Sequence, residues 1–199
     1  MVNKIIIALT VRYYRFTTRL FYGFFLKNIG SKSFIKKPMF LTSRYISVGR
    51  DVTIFNDARI EGIYRHFEQK FSPNIVIEDG VSIQQRVHIT AADTLIIGKN
   101  TMISFDVSIQ DTDHEYQGIQ KTIASQPLKV QKTYIGENCF IGSGAKIQAG
   151  TILGKHCVIG TNAVVRGVFP DYSVIVGIPA KIIKRYNSVT KTWERTNEV

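Results

Sequence analysis

An aliphatic residue returns at every sixth position along most of this chain, and that period restricts the fold more than any other feature. The first set is Ile29, Ile35 and Leu41, followed after a one-residue slip by Val48, Ile54 and Ile60. Next come Ile77, Ile83, Ile89 and Ile97, Ile103, Ile109, then an unbroken run of Ile135, Ile141, Ile147, Leu153, Ile159 and Val165. Four positions after the aliphatic stands a second, usually smaller residue, such as Ala58, Val87, Cys139, Ala145, Cys157 and Ala163. A helix needs apolar residues at spacings of three and four, so a period of six fits it poorly. Six residues suit a short strand plus a corner, with the large side chain inward at mid-face and the small one near the bend.

Three such faces close an eighteen-residue coil, and coils stack as parallel strands about 4.8 Å apart. No coil buries its face alone, so the core exists only as a stack. Breaks at 66–76, 95–96 and 115–134 each follow a complete set of three hexads, where a loop can leave a corner. The expected architecture is mainly β, a parallel β-helix of about six coils over 29–186. It carries an N-terminal segment (1–28), a protruding loop (115–134) and a C-terminal tail (187–199).

The hexads, above all Ile-Gly-Glu-Asn-Cys-Phe-Ile-Gly-Ser-Gly-Ala-Lys-Ile at 135–147, resemble those of the hexapeptide-repeat acyltransferase superfamily. Within it the chain is most similar to the sugar and lipopolysaccharide O-acetyltransferases. The resemblance implies a left-handed coil, against the right-handed default of parallel crossovers. It also implies a homotrimer, acetyl-CoA as acyl donor and no metal. The implied acceptor is a hydroxyl of an O-antigen, lipopolysaccharide or capsule sugar, free or lipid-linked. An amino sugar on a nucleotide, an antibiotic hydroxyl and a non-catalytic scaffold are the alternatives. Phe140 stands where a Trp is common in sugar acetyltransferases of this group, which weakens inference about the acceptor.

The largest interruption begins at Ile109-Gln-Asp-Thr-Asp-His-Glu-Tyr116, and His114 stands at its root, flanked by Asp111, Asp113 and Glu115. In the family the catalytic histidine stands at the start of the corresponding loop, and His114 matches it. A sugar hydroxyl is a poor nucleophile, and a neutral imidazole can take its proton as it attacks the thioester carbonyl. A carboxylate would fix the tautomer, and Asp113 and Asp111 are both placed to do so. One coil earlier, Gln84, Arg86 and His88 are candidates for holding sugar hydroxyls.

By the same resemblance, backbone at Ser143, Gly160 and Thr161 meets the thioester and pantetheine arm. An oxyanion donor of that kind lowers a barrier by about 3–4 kcal/mol. The segment Asp171-Tyr-Ser-Val-Ile-Val-Gly-Ile-Pro-Ala-Lys-Ile-Ile-Lys184 resembles the family's terminal Gly-x-Pro-Ala-[Lys/Arg] stretch. Lys181 and Lys184, with Arg166 as a third, are therefore the expected partners of the CoA phosphates. His66 and His156 carry no expected role.

The net charge of +11 is unevenly spread: residues 1–50 hold ten Lys/Arg and no Asp or Glu. Lys4, Arg12, Arg15 and Arg19 fall on one helical stripe, and Ile6, Leu9, Tyr13, Phe16, Leu20 and Phe24 on another. Such a helix either lies on an anionic membrane surface or caps the solenoid, and the two are compatible. No nucleic-acid motif accompanies the charge. The uncharged stretches 5–11 and 20–26 are too short to span a bilayer, and no small-residue cleavage site follows them. Two cysteines make neither a disulfide framework nor a metal cluster, so the expected compartment is the cytoplasm, peripheral at most to its membrane.

Overall fold

The computed structural model describes residues 2–196, with side chains from Ile5 onward. Lys4 of the expected basic stripe and residues 197–199 of the expected tail lie outside the described side chains. Three parallel sheets form the faces of a β-helix. Sheet A runs from Asn28–Ile29 to Val168–Phe169, sheet B begins at Phe34–Ile35, and sheet C runs from Phe40–Leu41 to Val164–Val165.

Register explains why the hexads matter. In sheet B, Ile54, Ile83, Ile103, Ile141, Ile159 and Ile175 pair in succession, one per coil. Each is at most 0% exposed, so the ladder is a continuous apolar column. Burying one such side chain stabilises the fold by about 1.5–3 kcal/mol. The small residues line the bends: Cys139 and Cys157 are buried and unbridged. Hydrogen bonding with Cys157 and burial push the Cys139 thiol up, which keeps it protonated and inert.

Corners need left-handed backbone, and the sequence supplies it. Asn100, Asn138 and His156 stack at the A–B corner with φ of 57°, 56° and 54°. At the B–C corner Gly144 has φ +71°, a left-handed conformation that glycine adopts without strain, and Asn162 Oδ1 lies against its missing side chain.

Two insertions leave the C–A corner. Arg65–His66 and Gln69–Lys70 form a short hairpin, and Thr112–His114 pairs antiparallel with Leu128–Val130 to make an arm. The arm thus starts as strand at Thr112, before the loop expected from 115. The break expected at 95–96 is absent. Leu95 is buried within the strand Thr94–Ile97, and the extra residues lengthen two strands instead of leaving as a loop.

The helix α1 (Val2–Tyr22) closes the open end. The edge strand of sheet B would expose unpaired backbone groups. Thr18, fully buried, satisfies them: Ile35 N donates to its Oγ1 at 2.8 Å, and Oγ1 donates to Ile35 O at 3.3 Å. At the other end the expected tail is a meander. Ala180–Asn187 turns back along Ser173–Gly177, and Thr192–Arg195 along that, so Trp193 faces Tyr186 and His156.

Candidate active site

Because both insertions leave the same corner two coils apart, they meet. Gln69 acts as an extra strand neighbour to the arm: Leu128 N donates to its Oε1 at 2.7 Å, and its Nε2 donates to Leu128 O at 3.2 Å. His66 Nε2 lies 3.0 Å from the carbonyl of Gln126. A carbonyl only accepts, so Nε2 carries the proton and the tautomer is fixed. Gln126, buried, accepts from Gly118 N at 2.8 Å and so shapes the arm from within.

This places the His66 ring edge-on to His114, with centroids 5.6 Å apart. Sequence reading gave His66 no role. The available signal was that both breaks follow a third hexad, hence share a corner. His114 itself is exposed, and among the described residues no hydrogen bond holds its imidazole.

Neither expected carboxylate orients His114. Asp113 and His114 are successive strand residues, so their side chains leave opposite faces. Asp113 is bonded instead to Arg166. Asp111 is 1% exposed, and its carboxylate accepts from Ala92 N at 2.9 Å and Asp93 N at 2.9 Å. It pins the root of the arm to the coil before. Burial pushes its pKa up, against the pull of those amides.

His114 stands where two clefts adjoin. One, of about 390 Å³, is walled by Glu61, Arg65, His66, Thr90 and Gln110. Glu61, Thr90 and Gln110 are register partners in sheet C, so they form a polar column on its outer face. The other, of about 460 Å³, lies between His114, Glu115, Lys129 and Arg166. Of the three residues expected to hold sugar hydroxyls, none lines either cleft. Gln84 donates to Ser82 Oγ on sheet B, and Arg86 is paired with Asp106 at 2.7 Å. His88 lines a smaller cleft with Arg86, Asp106 and Lys146. It sits on the same face of sheet C as Thr90, two residues along.

The residues expected along the donor fall on the B–C corner. Asn162 N donates to Ser143 O at 2.9 Å, so Ser143 and Thr161 stack one coil apart. Among the described residues neither Ser143 N nor Thr161 N has a protein acceptor. Gly160 N is committed to Ile175 O at 2.9 Å and is unavailable. The column continues to Lys181, whose register partner Val176 packs on Gly160. Lys184, opposite Val174, lies further back along the strand. Arg166 is held at the arm by Asp113. Within one chain, the width of sheet C, of the order of 15–20 Å, separates this corner from His114.

Residues 132–167 match the family model described as bacterial transferase hexapeptide (six repeats). Over that stretch the chain is similar to the hexapeptide-repeat transferases. The chain is 36% identical over 128 residues to a putative lipopolysaccharide biosynthesis O-acetyl transferase, WbbJ, of Escherichia coli (strain K12). That match covers 61% of this chain and 65% of the relative, so the chain spans a little under two thirds of that protein. A serine acetyltransferase of Staphylococcus xylosus is 30% identical over 129 residues, covering 64% of this chain and 57% of the relative. The fold is that of AntD, an N-acyltransferase from Bacillus cereus solved with dTDP and 3-hydroxybutyryl-CoA, at a TM-score of 0.70 and 15% identity. It covers 84% of this chain and 87% of AntD, and the coil is the left-handed β-helix of these structures. Among the described residues no group of three His, Cys, Asp or Glu is placed to hold a metal, and no helix is long and apolar enough to cross a membrane.

Proposed function

We propose that this hexapeptide-repeat protein transfers an acetyl group from acetyl-CoA to a hydroxyl of a bacterial surface-polysaccharide precursor, with His114 as general base. The observation that carries this reading is the placement of His114 at the junction of two clefts, one walled by the Glu61–Thr90–Gln110 column. A column of acceptors and donors one coil apart suits the hydroxyls of a sugar ring. The likeness to the putative E. coli lipopolysaccharide biosynthesis O-acetyl transferase WbbJ supports the acceptor class.

The residues present fit CoA. Free amides at Ser143 and Thr161 and the ammonium of Lys181 form one line along a corner, as an amide-bearing arm ending in phosphates requires. CoA supplies the activated thioester. Since that line lies across sheet C from His114, donor and base meet only between two copies of the chain, which supports a homotrimer.

In the reaction, the sugar oxygen attacks the thioester carbonyl while its proton passes to the imidazole of His114. Backbone N–H of Ser143 from the adjoining copy holds the oxyanion. The tetrahedral centre collapses by breaking its C–S bond, and the imidazolium returns the proton to the departing thiolate. His66, with its tautomer fixed, limits the swing of the His114 ring.

Two assays together test the reading. Calorimetry with CoA should show saturable binding by an oligomer, and labelled acetyl-CoA should transfer its acetyl group to hydroxyl-bearing nucleotide sugars or lipid-linked glycans. Transfer confined to amino sugars, or no CoA binding at any oligomeric state, would overturn it.

A further inference from the structure

We infer that the outward face of α1 docks the protein end-on onto an anionic lipid surface. The helix has two opposite faces. Tyr14, Thr18 and Tyr22 turn inward: Tyr14 stacks near Phe34, Thr18 caps Ile35, and Tyr22 packs on the core. Leu9 lies nine residues from Thr18, two and a half helical turns, and so points directly away from the solenoid. Around it Ile5, Tyr13, Phe16 and Leu20 form one continuous stripe, with Leu9, Tyr13 and Phe16 each more than 60% exposed. Phe24 and Phe25, past the end of the helix, are 83% and 67% exposed. A monomeric soluble protein rarely leaves a row of large apolar side chains like this uncovered.

Charge selects the occupant. Arg12 and Arg19 flank the stripe on one side, and no Asp or Glu occurs before Asp51 to oppose them. The first coil adds Lys27, Lys32, Lys36 and Lys37. An apolar stripe bordered by cations over a 21-residue helix is the form that sinks into the headgroup–acyl boundary of an anionic bilayer. An acidic protein partner would meet the arginines but leave the aromatic row unexplained, and a neutral bilayer would leave the charge unexplained.

End-on docking sets a height. The polar column of Glu61, Thr90 and Gln110 begins one coil beyond the capped coil, so at about 4.8 Å per coil it opens within ~15 Å of the lipid. On the acyl-transfer reading, the acceptor is then a sugar carried on a membrane lipid and lying close to its anchor. The docking itself does not depend on that reading.

The test uses the whole chain with vesicles of phosphatidylcholine alone and of phosphatidylcholine mixed with phosphatidylglycerol. Co-sedimentation should be about tenfold or more stronger on the anionic vesicles and should weaken as salt rises. Leu9→Ser with Phe16→Ser, and separately Arg12→Gln with Arg19→Gln, should each cost about tenfold in binding. These side chains face away from the core, and emission of Trp193, the sole tryptophan, reports that the fold is kept. Protein that stays in the supernatant at low salt, or binds both vesicles equally, overturns the inference. So does a Leu9/Phe16 variant that binds as wild type does. A change of oligomer mass in that variant also overturns it, because the face would then be covered by a second copy. CoA binding measured on the same preparations separates a failure of docking from a failure of the acyl-transfer reading.

Discussion

The guanidinium of Arg166 is bonded to the carboxylate of Asp113, joining the last full coil to the strand that carries His114. The pair ties residues 53 positions apart in sequence and sets the arm against sheet C. Asp113 leaves the strand on the face opposite the imidazole, so the pair can bear on His114 only through the backbone of the arm.

Arg166→Gln should therefore lower kcat by about tenfold or more while leaving the fold nearly as stable. Both side chains are partly exposed, and such pairs contribute about 0–1 kcal/mol. Steady-state kinetics alongside a urea melt checks both halves. A variant with unchanged kcat, or with raised KM for CoA as its only defect, would return Arg166 to the donor site.

Gln69→Ala should loosen the arm where it touches the hairpin. The side chain supplies two hydrogen bonds to Leu128, each contributing about 1 kcal/mol. Hydrogen exchange at the Leu128 amide should accelerate roughly tenfold, with KM for the acceptor rising more than KM for CoA. An amide that exchanges as in the wild type contradicts the clamp.

Asp111 provides a pH test with a defined sign. Burial raises its folded pKa above the ordinary carboxylate value of about 3.9, so the folded state holds the proton more tightly than the unfolded. Its contribution is fully present below the unfolded pKa and is lost as pH rises through the raised one. The stability difference between wild type and Asp111→Asn should accordingly grow as pH falls from neutrality towards 4. A difference that shrinks on acidification would mean the amides of Ala92 and Asp93 outweigh burial.

The coil was legible because its period is local: Ile135, Ile141 and Ile147 announce three faces without knowledge of what they touch. The insertions were not. Gln69 meets Leu128 and His66 meets His114 only because two loops share a corner, and no periodicity records that contact. Asp113 looked like the partner of His114 because they adjoin in sequence, yet strand alternation separates them. Arg86 looked like a sugar contact, but its left-handed corner pairs it with Asp106 one coil on. Ser143 and Lys181 were found by resemblance and do share a corner, whereas Gly160 N, in the same stretch, is spent on the next coil.

The most direct measurement is thiol release from acetyl-CoA in the presence of acceptor, for wild type and His114→Ala, with CoA affinity measured on both. Loss of the base should lower the rate by about 10²–10⁴ with CoA binding unchanged. A His114→Ala variant that turns over within a few-fold of wild type would contradict the assignment of His114 and of the two clefts it joins.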